Sequence, residues 1–190
     1  MIEHNGKLFA RVTDILRPFN DFSKIDQKVL ENKARIGTSV HEAIAHDIDG
    51  TFPCPDSDAL GYFESYIKWK TALTPAFSIS ERRFFCKEKM ITGQIDCLIN
   101  ISASIKLPQL VDFKTSAQES KVVWPMQAHL YHYLLSVNGM LAHPKFLFVK
   151  LDKHGNLPEV FEYTWSQNIH AKCMNAIDDF WKSQKFADNK

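Results

Sequence analysis

The spacing of apolar and polar positions changes several times along the chain, and each change marks an element. Ile36, Val40, Ala43 and Ile44 recur at i, i+4, i+7 and i+8, the signature of one helical face. Ile25, Val29 and Leu30 carry the same period over residues 24–35, with Lys28, Lys33 and Arg35 outward, while Ser39 and Glu42 have capping-box spacing and predict a fresh helix start. Asp56 or Ser57 opens a further helix whose core face is Leu60, Phe63, Ile67 and Leu73, with Tyr62, Tyr66 and Trp69 beside it and Pro75 at its end. From Phe77 the period falls to two. Residues 77–86, 91–99 and 110–115 read as three strands, joined by a turn at 87–89 and a return over 100–108. Helical spacing resumes over 124–138, with Met126, Leu130, Tyr133, Leu134 and Val137 as the buried stripe. Two more strands, 144–150 and 160–164, flank a turn at 152–156, and Ser166 caps a last helix through Ile169, Cys173, Ile177, Phe180 and Trp181. Ahead of these elements, residues 1–20 read as an extended start and a short helix that Thr13 caps and Pro18 stops. The order predicts an α/β fold with a mixed central β-sheet flanked by helices.

The 190 residues, 45% of them hydrophobic, supply one sizeable core, so residues 1–190 are read as a single domain. A net charge of +1 argues against coating nucleic acid by charge alone, but leaves room for a local basic groove. Cys54, Cys86, Cys97 and Cys173 are widely spaced and suggest neither a zinc ribbon nor a disulfide framework. No window reaches the roughly 18 apolar residues of a membrane span, so no membrane partner is expected and a reducing cytoplasm is the expected setting.

The chemistry concentrates between Ile91 and Tyr131. In an extended strand Asp112 and Lys114 share one face, and Val111 and Phe113 take the other, toward the core. A hairpin sets Asp96 beside Asp112. Two carboxylates held that close repel each other and call for a hard divalent cation between them. Protonated Lys114 cannot be a ligand, but it can hold a phosphate oxygen or the attacking water, as phosphodiester hydrolysis requires. Taken singly, each residue also has a plain structural reading. Asp112 and Lys114 fit the solvated face of an edge strand, His41 a packing histidine, and Glu81 a partner of Arg82, Arg83 or Lys114. Gln127 and Tyr131 are simply four apart on a helix.

Together, in this order, the motifs resemble the PD-(D/E)xK nuclease superfamily, and within it the RecB-like exonuclease branch. They are G-T-x-x-H (Gly37, Thr38, His41), G-x-x-D (Gly93, Asp96), D-x-K (Asp112, Lys114) and Q-x-x-x-Y (Gln127, Tyr131). The V-T-x-x-L opening at Val12, Thr13 and Leu16 is similar to the start of small exonucleases of that branch, the mitochondrial genome maintenance enzyme included, so the resemblance covers residues 11–165.

The resemblance implies a restriction-endonuclease-like core and a DNA exonuclease dependent on Mg²⁺ or Mn²⁺. It implies action on single strands or free ends in recombination, repair or phage DNA processing, with a 5′-phosphate left behind. His41, Asp96, Asp112 and the backbone carbonyl of Phe113 would hold the metal, and Glu81 would help order that site. Lys114 would position or activate the water and stabilise charge on the phosphate. Gln127 would orient Lys114 or the substrate, and Tyr131 would stack on a base or bond a phosphate. Lys121, in the polar loop 116–123, would contact phosphate. Phage or host recombination proteins are the partners implied, and a bacterial or phage setting is expected because nothing resembles a mitochondrial transit peptide. Relatives that carry an iron–sulfur cluster use a cysteine spacing that this chain lacks. The alternatives are a catalytically silent nucleic-acid-binding or recombination-accessory module of the same fold, or a structure-dependent or restriction-type endonuclease. Against the restriction type, no helix offers an obvious base-reading Arg/Asn face.

Overall fold

A computed structural model describes residues 1–20, 25–101 and 106–187, the side chains of 185–187 excepted. The chain opens with a hairpin of β1 (Ile2–His4) and β2 (Lys7–Arg11). Asn5 and Gly6, with φ of 50° and 69°, supply the left-handed pair that such a tight turn requires. The short α1 (Val12–Leu16) is started by Arg11 and Asp14 rather than by Thr13: the Asp14 carboxylate accepts from the Arg11 amide at 3.2 Å and from its guanidinium at 2.7 Å. A single 3₁₀ turn, Arg17–Phe19, follows.

The two helices expected over 24–46 are one, α2 (Gln27–Ile48), capped by Asp26, which accepts from the amides of Lys28 and Val29. Ser39 and Glu42 do not restart it, because the backbone amides there already have intrahelical partners. The Ser39 hydroxyl instead accepts the amide of Asp56 at 2.9 Å. Residue 24, at the expected helix start, and residues 102–105, in the expected return, lie outside the described residues.

In α3 (Leu60–Leu73) the core face is Tyr66 and Trp69, both edge-on to Phe113, while Leu60 faces solvent. Tyr66 can be buried because its hydroxyl donates to Asp47 at 2.7 Å. The docking angle is fixed at Gly61, whose missing side chain admits the carbonyl of Lys153.

The strands β3 (Ala76–Cys86), β4 (Ile91–Asn100), β5 (Gln109–Lys114), β6 (Lys145–Lys150) and β7 (Glu159–Thr164) complete a mixed sheet, with α4 (Val123–Val137) between β5 and β6 and α5 (Gln167–Ala187) last. Its order is β1-β2-β4-β5-β6-β7, with β3 along the opposite edge of β4. Both β2–β4 and β5–β6 are parallel, and the other pairs antiparallel. The β2 strand pairs with β4 at Ile91 and Thr92, and β5 pairs with it from Cys97 to Ile99. Along that edge Gly93, Gln94, Ile95 and Asp96 have no strand partner, and there β4 and β5 diverge. That opening lies at the heart of the fold.

One core, under α2 and α3, takes Cys97, Ile99, Val111, Phe113, Leu147 and Val149. The other, under α1, α4 and α5, takes Ile91, Ile95, Leu98, Leu110, Phe146 and Phe148. Both faces of β5 are therefore buried, and Asp112 is 1% exposed rather than on a solvated face. The α4 helix is buried from Val123 to Tyr131 on every side, whereas Val137, expected in its stripe, is exposed. Being sandwiched between the sheet and α1 and α5, it must satisfy its polar residues internally.

Candidate active site

Where β4 leaves β5, the register brings three carboxylates into line. Continuing the β4–β5 pairing one step past Cys97–Val111 sets Asp96 opposite Asp112, and the β3–β4 register sets Glu81 opposite Asp96 on its other side. Asp96 Oδ2 accepts the amide of Phe113 at 2.7 Å, so its side chain takes the place of the missing ladder bond. Glu81 has φ 42°, in the left-handed region, in the middle of a strand. A non-glycine residue there is held against its own backbone preference, and such residues cluster at functional sites.

From the α2 side, His41 Nδ1 lies 3.2 Å from Glu81 Oε1 and 3.4 Å from Asp96 Oδ2. The three side chains offer ligand atoms within 4.8 Å of one another, the only such cluster found among the described residues. Burial opposes charge on His41, but Asp96 and Glu81 outweigh it and hold the imidazolium up to about 9. Asp96 is pushed up to about 8, first by burial and then by the charge of Asp112. The group as a whole therefore keeps a proton into the alkaline range.

From the α4 side the arrangement is a closed network. Lys114 Nζ sits 2.5 Å from Asp112 Oδ2 and donates to Gln127 Oε1 at 3.0 Å. Gln127 Nε2 donates to Asp112 Oδ1 and to the Tyr131 hydroxyl, each at 3.0 Å. Every polar atom of the Gln127 amide is thus used, which fixes its orientation. Asp112 Oδ2 is buried and, although it touches the ammonium, makes no hydrogen bond of acceptable angle. The cation it faces is the Lys114 ammonium, while His41, Glu81 and Asp96 form an oxygen and imidazole donor set of the kind that holds a divalent ion. The residues fit such a metal.

Neither a family model nor a curated protein matches this sequence. Solved structures do. The protein SSO0001 aligns over 97% of this chain and 79% of its own, with 16% identity and a TM-score of 0.51. The alkaline exonuclease LHK-Exo of Laribacter hongkongensis aligns over 94% of this chain and 89% of its own, with 8% identity and a TM-score of 0.54. Its complex with dAMP aligns with 10% identity and a TM-score of 0.52. The chain shares the fold of these structures.

Within this fold, the sequence motifs fall on the elements in which they were read. Gly37 of G-T-x-x-H lies beside Thr115, just past β5, where a Cβ would make only ordinary contact with Thr115 Oγ1 at 3.5 Å. Gly93 of G-x-x-D serves close approach, since a Cβ would lie 2.7 Å from the Tyr131 ring and 2.8 Å from Leu134. Two residues stand differently from expectation. Asp112 lies outside the cluster formed by His41, Glu81 and Asp96, because Lys114 and Gln127 hold its carboxylate. Tyr131 is 5% exposed with its ring against Gly93, so no ring face is open to stack on a base. Burial, then Asp112 and Asp96, hold its hydroxyl well above the usual phenol range. Phe113 donates its amide to Asp96 and packs its ring under Tyr66 and Trp69. Lys121 is exposed in the turn before α4.

Three clefts meet the site. One of about 400 Å³ reaches His41 and Glu81, one of about 290 Å³ reaches Lys114 and Gln127, and one of about 200 Å³ reaches Tyr131, Gln94 and Arg83. Sequence reasoning missed Gln94 and Arg83. The signal available was their position, because Gln94 stands inside G-x-x-D and Arg83 is its cross-strand partner.

Proposed function

We propose that this protein is a metal-dependent nuclease that hydrolyses phosphodiester bonds in DNA, working as an exonuclease on single strands or free ends. The observation that carries the reading is the convergence, at the divergence of β4 and β5, of the D-x-K pair with Asp96, Glu81 and His41. Its support is the fold shared with an alkaline exonuclease, whose structure has also been solved with dAMP bound. His41, Glu81 and Asp96 hold Mg²⁺ or Mn²⁺, with Asp112 and the carbonyl of Phe113 completing the ligands. The bound ion supplies Lewis-acid stabilisation of phosphate charge.

Lys114 faces the phosphate and the attacking water. Its ammonium is oriented by Gln127 and Asp112, so its hydrogen-bond donors are in place before charge develops. Tyr131 acts through its hydroxyl on Gln127 rather than through base stacking. Lys121 tracks the backbone of the strand.

The test is cleavage of end-labelled linear DNA and of end-blocked circles with Mg²⁺, Mn²⁺ or EDTA, wild type beside Lys114→Ala. Metal-dependent release of label from free ends, reduced by about 10² or more in the variant, is expected. Cutting of circles shows an endonuclease instead. Uncut DNA together with undetectable metal binding refutes the nuclease reading.

A further inference from the structure

The Glu81 carboxylate is held from the side opposite His41 as well. Gln94 Nε2 donates to Glu81 Oε2 at 2.6 Å, and Arg83 donates to Gln94 Oε1 at 2.5 Å. Arg83 and Gln94 are direct cross-strand partners, and Glu81 is the diagonal neighbour on the same face. Arg83 has only donors, so it dictates which end of the amide faces it. With Oε1 turned to Arg83, the Gln94 amino group must point at Glu81. One carboxylate oxygen is thereby tied down, and the other, Oε1, is left facing His41.

The neutral amide matters as much as the hydrogen bonds. Arg83 and Glu81 are two apart on one strand face, close enough to pair directly. A direct ion pair would draw the carboxylate away from His41 and cancel the charge that a cation needs. Gln94 stands between them and passes on orientation without neutralisation.

Building on the metal-dependent reading, we infer that Gln94, clamped by Arg83, is a positioning residue that presents Glu81 to the metal as a ligand with its full charge. Such outer partners commonly change metal affinity by about 10–100-fold when removed. Gln94→Leu frees Arg83 to pair with Glu81 and weakens the site. Arg83→Met leaves the amide free to turn its oxygen toward the carboxylate, with a smaller loss. Arg83→Lys keeps a donor and retains affinity.

The experiment is calorimetric titration of Mn²⁺ into the full chain for wild type, Glu81→Gln, Gln94→Leu, Arg83→Met, Arg83→Lys and the Arg83→Met/Gln94→Leu double variant. Thermal unfolding without metal is measured for each. Expected are a loss of about tenfold for Gln94→Leu, near-wild-type affinity for Arg83→Lys, and a double variant no weaker than Gln94→Leu alone. If Glu81→Gln weakens binding while Gln94→Leu lowers only the unfolding temperature, Gln94 is merely structural and the inference falls. A wild type that binds no Mn²⁺ overturns the metal-dependent reading and this inference with it. Additive losses in the double variant remove the relay through Arg83.

Discussion

The residues of the site are set against one another by charge, and that fixes how the site responds to pH. In the metal-free protein His41 is raised to about 9, above its unfolded value, so the stability it contributes is complete below about pH 6.5 and lost as pH rises through 9. Asp96, raised to about 8, costs stability progressively once the unfolded chain has lost its proton, up to that pH. Both effects weaken the metal-free protein toward alkaline pH. A divalent ion displaces the shared proton, so added Mn²⁺ is expected to raise the unfolding temperature more at about pH 9 than at about pH 6. Scanning calorimetry at the two values checks this, and an equal rise at both removes the proton-sharing account. Calorimetric binding in buffers of different ionisation enthalpy should register proton release below about pH 8.

At the scale of elements, two glycines decide how helices meet the sheet. Gly61 opens α3 onto the Lys153 carbonyl, and because backbone cannot step aside as a side chain can, Gly61→Ala should displace α3. Overpacking of this kind costs about 1–3 kcal/mol, read as a lower urea midpoint at unchanged slope. Gly93→Ala presses instead on the Tyr131 ring and Leu134. It should cost stability in the same range, and it should also lower activity through Tyr131 and Gln127, an effect not expected of Gly61→Ala. Equal loss of activity in the two variants contradicts the separation.

Element-level reading of the sequence succeeded for β3 and β5 and failed for the faces of α4. Residues 77–86, with one face half-exposed, show a clear period of two and form a strand; residues 110–115 share that period although both faces of β5 are buried. In α4, by contrast, the amphipathic stripe predicted Val137 inside and left Gln127 outside it, whereas burial on every side put Gln127 in the core and Val137 in solvent. Periodicity marks a boundary between core and water, and α4 has no such boundary over most of its length. The capping errors at Thr13 and Ser39 have a similar origin. A side chain able to cap was present at each, but the N-cap backbone geometry falls at Arg11, bonded by Asp14, and at Asp26.

For the molecule as a whole, the last helix is tied to α4 through His129, a fully buried residue that the sequence did not mark. Its Nδ1 donates to the Pro125 carbonyl at 2.6 Å and its Nε2 accepts the Ser166 amide at 2.8 Å, an arrangement open only to the neutral ring. Burial lowers its pKa, with His170 and His132 adding to the effect, and His132 is lowered by burial too. A histidine lowered on folding stabilises the protein above about pH 6.5 and loses that contribution as pH falls. His41 and Asp96 gain stability over the same range, so the contribution of His129 is read as a difference from a His129→Gln variant. Between about pH 7 and about pH 5.5 the urea midpoint of the wild type is therefore expected to fall relative to that of the His129→Gln variant, and a constant difference between the two excludes a neutral His129.

The sequence by itself determined the order of elements from α3 onward, the α/β class, and the candidate residues for a metal site. These follow from period and side-chain chemistry, which are local. Tertiary structure decided the rest: that β4 parts from β5 at Asp96, that Glu81 stands beside His41 and Asp96 while Lys114 and Gln127 hold Asp112, that Tyr131 is buried, and that Gln94 stands between Arg83 and Glu81. Each of these depends on which strands pair and how closely a helix approaches them. Contacts between residues distant along the chain leave no period behind, so only the folded molecule records them.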